Sequence, residues 1–499
     1  MEANRTADLK RSTDSNPAAD SALTPDTLAR MPAGIERPAY DARQIAIGVV
    51  HLGPGAFHRA HQAWFFDALL GDDPRWGISA VSLRSPDLRD ALVGQDGLYT
   101  VATLDAVIGY RVIGALRERL VAAEDPQRVL NRLAAPTTHI VTLTITEKGY
   151  CLAGDGTLDF SHPDIVRDLA DPDTPVSAIG YLVAALARRH AAGLDPFTVI
   201  SCDNLADNGH RLGAAVIALA ACRDEALARW IQARGAFPRT MVDSIVPATD
   251  DALRERVTAA TGLIDRWPVQ RERFAQWVIE NRFSSATPDW ASVGVTITDD
   301  VGGFESAKLR LLNGAHSTLA YLGLARGHTS VAEAMTDDPL VGFVRTMMIQ
   351  DIRPSVRAPN GFDVDAYVEA VLQRFRNPAI RHELAQIAWD GSQKLPFRLL
   401  GTISDALAAG RGIARLCVPI AAWMHFVRRK ALGDRRLTDP LASTLLAIGD
   451  ACEDRAETDV PRFLALENVF PAALRGDRRF IDALMRAHAR LADPAATLE

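Results

Sequence analysis

Cysteine is scarce: the 499 residues hold five, Cys151, Cys202, Cys222, Cys417 and Cys452. Their number is odd and their positions are scattered. No CxxC occurs and no Cys/His cluster has zinc-finger spacing, so neither a disulfide framework nor a zinc site is expected. Reduced thiols in a cytoplasm fit that pattern. Long apolar runs are missing too; none reaches the ~18 residues that a membrane span requires. The opening stretch MEANRTADLKRSTDSNPAADS has no apolar core of the secretory kind. It is polar and rich in small residues, and residues 1–21 read as a mobile tail. Nor is there a strong charge of one sign. The formal net charge is −7, with 55 basic and 62 acidic residues interspersed. Nucleic acid and anionic membranes are therefore not expected as partners.

The chain has the length of two or three domains. Its first half alternates apolar, β-branched runs with helical stretches. Ile45–Leu52, Ile78–Leu83, His139–Thr146, Phe197–Ser201 and Val293–Ile297 read as strands. Ile179–Ala192 and Arg211–Arg234 read as helices between them. That alternation predicts an α/β domain with a mainly parallel sheet covered on both faces, over residues 22–298. Past Thr298 only helical patterns remain: Leu309–Ala325, Leu340–Gln350, Asp363–Arg374, Ala379–Trp389, Leu399–Ala408 and Ile413–Leu432. Residues 299–499 are thus expected to form a mostly α-helical domain.

Two features of the first half point to chemistry. Gly53-Pro54-Gly55 follows the first strand, and Ala56-Phe57 opens a segment to Leu70 that reads as one helix. A tight glycine turn there lets a pyrophosphate approach a helix N-terminus, as in Rossmann-type domains. The full GxGxxG is absent, because His58 takes the third position. The second strand has no acid at its tip to bind the adenosine ribose. Arg84 stands there instead and suits a 2′-phosphate, so NAD and NADP both remain open. His51, His58 and His61 have no acid or cysteine nearby to complete a ligand set, and no metal is assigned to them.

The third feature lies beyond Thr298, in FESAKLRLLNGAHS (304–317). At about 100° per residue, with Lys308 at the origin, Glu305 falls near 60°, His316 near 80° and Asn313 near 140°. Leu309, Leu312 and Leu319 share that arc. An acid, an amine, an amide and an imidazole on an apolar face are costly unless paired or used. A buried Glu305–Lys308 pair with a satisfied core histidine is the structural alternative.

Five blocks taken together resemble the polyol-specific long-chain dehydrogenases, the family of mannitol 2-dehydrogenase, D-arabinitol dehydrogenase, fructuronate reductase and tagaturonate reductase. They are HLGPGAFHRAHQ (51–62), TLTITEKGYC (142–151), SCDNLADNG (201–209), TMVDSIVPATD (240–250) and KLRLLNGAHS (308–317). GFES at 303–306 departs from the family, which would have an aromatic-rich turn there. The resemblance implies an NAD(P)-dependent secondary-alcohol dehydrogenase that works without metal. It makes Lys308 the catalytic base and gives roles to Asn204, Asn313 and His316. A lysine suits if burial lowers its pKa toward the working pH. Two carboxamides suit the alkoxide, since they stabilise charge without titrating. Asn204 and Asn313 would meet at a cleft between domains. Glu305 is assigned a proton relay. Glu147 and Lys148 contact the cofactor's ribose or nicotinamide region or form a structural ion pair, Asp243 is a substrate or cofactor contact or a helix-end cap, and Asp203 caps the turn or takes part in catalysis.

DGSQKLPFR (390–398) and VSLRSPDLRD (81–90) resemble the hexuronate-reducing members. Lys394 and Arg398 would offer charge to a sugar-acid carboxylate; the alternative leaves them on the surface. D-fructuronate reduction to D-mannonate is therefore expected, with a polyol such as mannitol as the other substrate. A non-catalytic NAD-binding sensor is the reading from a different class, and an intact base argues against it. The sequence sets no oligomeric state.

Overall fold

β-Branched and other apolar residues fill five strands that form one all-parallel sheet. The strands are β1 (Ile47–Leu52), β2 (Gly77–Ser82), β3 (Leu116–Val121), β4 (Ile140–Leu143) and β5 (Thr198–Ser201). Side chains alternate between the two faces. Val50, Leu52, Val81, Val141 and Val199 enter one apolar cluster; Val49, Ile78, Ile140 and Ile200 enter another. All nine are completely buried, as strands sandwiched between helical layers must be.

Spatially the strands run β3-β2-β1-β4-β5. The chain steps outward from β1 to β3, then returns to the other side of β1. This is the doubly wound order, whose reversal between β1 and β4 opens a ligand crevice at the carboxyl ends of the strands.

The structure is a computed structural model that describes residues 21–492. The expected tail, apart from Ser21, lies outside them. Two compact units divide the chain, Met1–Thr298 and Asp299–Glu499. No helix among the described residues is long and apolar enough to cross a membrane.

Several local expectations need correction. LRERLV (116–121) is a central-sheet strand that its charges hid; Glu118 is satisfied by Ser79 at 2.8 Å and Arg132 at 2.7 Å. Two further three-stranded sheets, one of Tyr99–Leu104, Gly109–Ile113 and Val269–Glu272, the other of Thr240–Asp243, Gln276–Glu280 and Thr296–Thr298, were not expected beyond the last strand. That strand starts only at Thr296, after a short 3₁₀ turn at Ala291–Val293. The helix after the glycine turn is two helices, Ala56–Ala60 and Gln62–Leu69, broken at His61 (φ −121°, ψ −84°). The expected helix 211–234 is likewise broken, at Asp224, whose carboxylate caps the second piece.

Helices are the only multi-residue elements in the described part of the second unit, around one large apolar core. GFES is no turn but part of the helix Val301–Ala307, capped by Asp300, which accepts from the Gly303 amide at 2.9 Å. The expected helix 379–389 shrinks to Leu384–Ile387. Three segments are π-helical: Lys308–Leu312, Met347–Ile352 and Pro396–Leu400. At the third the cause is plain. Pro396 has no N–H for an i−4 bond, and the helix closes through the Gly401 amide to the Pro396 carbonyl. The other two have no such local cause in their sequence.

Candidate active site

Gly53 ends β1 with φ +86°, and a Cβ there would lie 2.3 Å from the Thr144 carbonyl oxygen. Both the positive φ and the close approach demand glycine. The turn is tied to β4 by His51, whose ring nitrogens meet the Thr142 hydroxyl at 2.7 Å and the Thr144 hydroxyl at 2.9 Å. His58 stacks on His51, centroids 3.4 Å apart and the rings nearly parallel. His61 meets the Gln276 carbonyl at 3.0 Å. The three histidines thus knot the turn into the fold. Pro54, Gly55, Ala56 and Phe57 follow, with Gly55 opening the helix at Ala56. The bare backbone between β1 and β4 fits a dinucleotide pyrophosphate.

Arg84 stands exposed beyond β2, and its guanidinium is held by Asp164 at 3.1 Å. A 2′-phosphate would have to displace that carboxylate.

The segment after β4 is strained. Thr146 has φ +64° and ψ +161°, a region that is almost glycine-only. Asp203, just past β5, holds it there: its carboxylate accepts from the amides of Ile145 (2.9 Å) and Thr146 (3.1 Å) and from the Tyr150 hydroxyl (2.7 Å). Burial pushes Asp203 up, and these hydrogen bonds oppose the rise. Asp203 is therefore a tether between two strand ends, a stronger structural role than the turn cap expected of it. Glu147 and Lys148 lie exposed on the next turn, and no salt bridge joins them among the described residues.

Asn204 follows Asp203 and is exposed. Its neighbour Asn208, buried and unassigned in the sequence reading, knits this tip to the strand Thr240–Asp243. Its amide donates to the carbonyls of Asp203 and Thr240, each at 3.1 Å, and its oxygen accepts from the Thr240 amide at 3.0 Å. Asp243 ends that strand, buried. The signal that marks Asn208 is the Asn-Gly pair opening the helix after SCDN.

In the second unit the π turn changes the expected geometry. Within a regular α-helix Asn313 would sit ~140° around from Lys308. Here the Asn313 amide donates to the Lys308 carbonyl, an i→i+5 bond. One full π turn therefore stacks Asn313 over Lys308 on one face. Glu305 lies one turn before Lys308. Glu305, Lys308 and Asn313 are half-buried; of the four polar groups only His316 is buried.

His316 gathers two residues expected on other grounds. Its ring stacks on Phe375 at 4.6 Å and meets His382 edge-on at 4.7 Å. Burial, then the charges of His382, Arg398, Arg374 and Lys394, push it well below its ordinary pKa, so it is neutral. Lys394 and Arg398 are half-buried, not surface-flanking. Lys394 Nζ donates to the Ile387 carbonyl at 3.3 Å and Arg398 to the Ser317 hydroxyl at 3.1 Å. No carboxylate forms a salt bridge with either among the described residues. Burial and the neighbouring Arg398 lower Lys394, and burial lowers Arg398 to about 10. Gly314 permits this gathering, since a Cβ there would stand 3.2 Å from the Arg398 carbonyl.

Residues 47–292 match the mannitol dehydrogenase Rossmann domain and residues 300–492 the mannitol dehydrogenase C-terminal domain. The chain belongs to the mannitol dehydrogenase family. It is 39% identical to the D-mannonate oxidoreductase of Escherichia coli (strain K12) over 471 residues, covering 93% of this chain and 96% of that one. It is 37% identical to a mannitol 2-dehydrogenase of Phaeosphaeria nodorum, covering 90% and 80%. The solved mannitol 2-dehydrogenase of Pseudomonas fluorescens, a ternary complex with NAD and D-mannitol, superposes with a TM-score of 0.81 at 37% identity, covering 95% and 97%. As a member of the mannitol dehydrogenase family, the chain is an oxidoreductase with a Rossmann-type first domain.

Proposed function

We propose that this mannitol dehydrogenase family member uses NAD to interconvert the secondary alcohol and ketone of a sugar acid, reducing D-fructuronate to D-mannonate. The observation that carries the substrate reading is the pair Lys394 and Arg398 beside His316. Two half-buried cations that form no salt bridge among the described residues, with Asp390 and Asp439 acting on Lys394 only through their charge, are costly, and a hexuronate carboxylate supplies a direct partner. The similarity to the Escherichia coli D-mannonate oxidoreductase agrees. NAD is favoured over NADP because Asp164 already occupies Arg84.

Gly53, Pro54, Gly55, Ala56 and Phe57 would hold the dinucleotide, which would supply or accept the hydride at the carbonyl carbon. Lys308 delivers the proton to the carbonyl oxygen in reduction and removes it in oxidation. Asn204 and Asn313 donate hydrogen bonds to that oxygen as charge develops, and neither titrates. Neutral His316 binds a substrate hydroxyl. Glu305 passes the proton between Lys308 and solvent. None of these steps calls for a metal ion.

Mannitol oxidation is the second reading, favoured by the 37% identity to the enzyme solved with NAD and D-mannitol. Fructuronate, tagaturonate, fructose, mannitol and arabinitol, each assayed with NAD(H) and NADP(H), separate the two. We expect fructuronate to exceed fructose in kcat/KM. A charge-assisted contact is worth ~1.5–3 kcal/mol. Lys394→Met or Arg398→Met should then lower kcat/KM about ten- to a hundredfold for fructuronate and much less for fructose. Fructose beating fructuronate in the native protein would make it a polyol dehydrogenase. No turnover of any substrate would leave only the sensor.

A further inference from the structure

Cys151, His162 and Asp164 bring a thiol, an imidazole and a carboxylate together, one ligand atom of each within 4.8 Å of the others. The sequence assigned no metal ligands, and it hid these three because a loop makes the group. Leu152 bridges Leu158, and the Asp159 amide donates to the Cys151 carbonyl at 2.9 Å. The His162 amide then donates to the Asp159 carbonyl at 3.1 Å, which returns His162 to Cys151. Cys151 is buried, while His162 and Asp164 are half-buried and open the group to solvent.

We infer that Cys151, His162 and Asp164 form a binding site for one thiophilic divalent metal ion of the zinc class. Thiolate, imidazole and carboxylate are all zinc ligands, and three of them leave a fourth position for water. The local field suits a cation. The carboxylates of Asp164, Asp168 and Asp159 set a negative field at the Cys151 thiol, against Arg84. As the ion binds, the thiol proton leaves to solvent.

Ligand atoms around tetrahedral zinc stand roughly 3.4 Å apart, given bonds of ~2.0–2.3 Å. To take that geometry the group gives up two of its present bonds. Asp164 leaves Arg84, now at 3.1 Å. His162 Nδ1, which accepts from the Asp164 amide at 3.2 Å, gives up that long bond to ligate or to carry the ring proton while Nε2 ligates.

The test uses the full chain carrying Cys222→Ser, which removes the exposed cysteine. Cd²⁺ is titrated in, followed by the ultraviolet thiolate-to-cadmium charge-transfer band and by calorimetry, with Zn²⁺ as competitor. One equivalent per chain is expected, displaced by Zn²⁺. Cys151→Ser abolishes the band. His162→Gln and Asp164→Asn each weaken binding by at least the ~10-fold that even outer partners of a metal carry. Thermal unfolding checks each variant. If Cys151→Ser does not fold, the half-exposed His162 and Asp164 carry the test. No band, a band that survives Cys151→Ser, or unchanged affinity in both other variants overturns the inference.

Discussion

His58 and His51 make the glycine turn acid-sensitive by an amount that follows from their burial. Both rings are completely buried, stacked at 3.4 Å. Burial, then the charges of His51, Arg59 and His61, pushes His58 well below its ordinary pKa, and burial pulls His51 to about 3. Each is neutral in the folded protein and titrates near ~6.5 in the unfolded chain. Below about pH 6.5 the unfolded chain therefore holds more protons, and stability falls with pH until the folded value is reached. Integrated from about pH 7 to about pH 5, the loss is about 2 kcal/mol per imidazole. His58→Phe keeps the stack and removes one titrating group. Neither ring nitrogen of His58 has a hydrogen-bond partner among the described residues, so the phenyl ring forfeits none. Urea unfolding across this range, followed by circular dichroism, should show the native protein losing about 2 kcal/mol more than the variant. The slope carries the argument, since the absolute stability of the variant also reflects repacking. Parallel pH curves would mean that His58 is charged when folded or shielded when unfolded, and the reasoning would fail.

Other outcomes follow from the same structure. Lys308→Ala should cut turnover by at least ~10²-fold, with partial recovery on adding a small primary amine; near-normal turnover in a folded variant removes Lys308 from the chemistry. Thr146→Gly should raise the unfolding free energy by about 1 kcal/mol, because relief of the positive φ outweighs the entropy of glycine; a fall in stability would show the backbone is not strained there. Dialysis of the His162→Gln variant against a chelator should leave turnover intact, and a loss restored only by zinc would overturn the lysine mechanism.

What the sequence made legible divides along physical lines. β1, β2, β4 and β5 were visible because strands buried on both faces are written as unbroken apolar runs. β3 was not, because Arg117 and Glu118 find partners in other segments, and a single-sequence pattern carries no partners. Asn208 and the tethering role of Asp203 escaped for the same reason: their work is to join segments distant along the chain. Lys394 and Arg398 were visible as charges, but their gathering beside His316 depends on a close approach at Gly314. The wheel drawn through 304–317 gave Asn313 the wrong direction, because it assumed a constant pitch.

That pitch has a consequence for anyone rebuilding the site. A π turn holds one more residue than the α turn it replaces. It acts as an insertion that turns everything after it by about 100° relative to everything before it. A graft of Lys308 and Asn313 onto a straight helix at their native separation would splay them; at a separation of four they would align. Equally, deleting one residue of Leu309–Leu312 should let the helix close as a regular α turn with Asn313, His316 and the remaining downstream face still in register with Lys308, whereas forcing regular pitch on the full-length segment would turn them away. In this segment the number of residues is as much a part of the site as their identity.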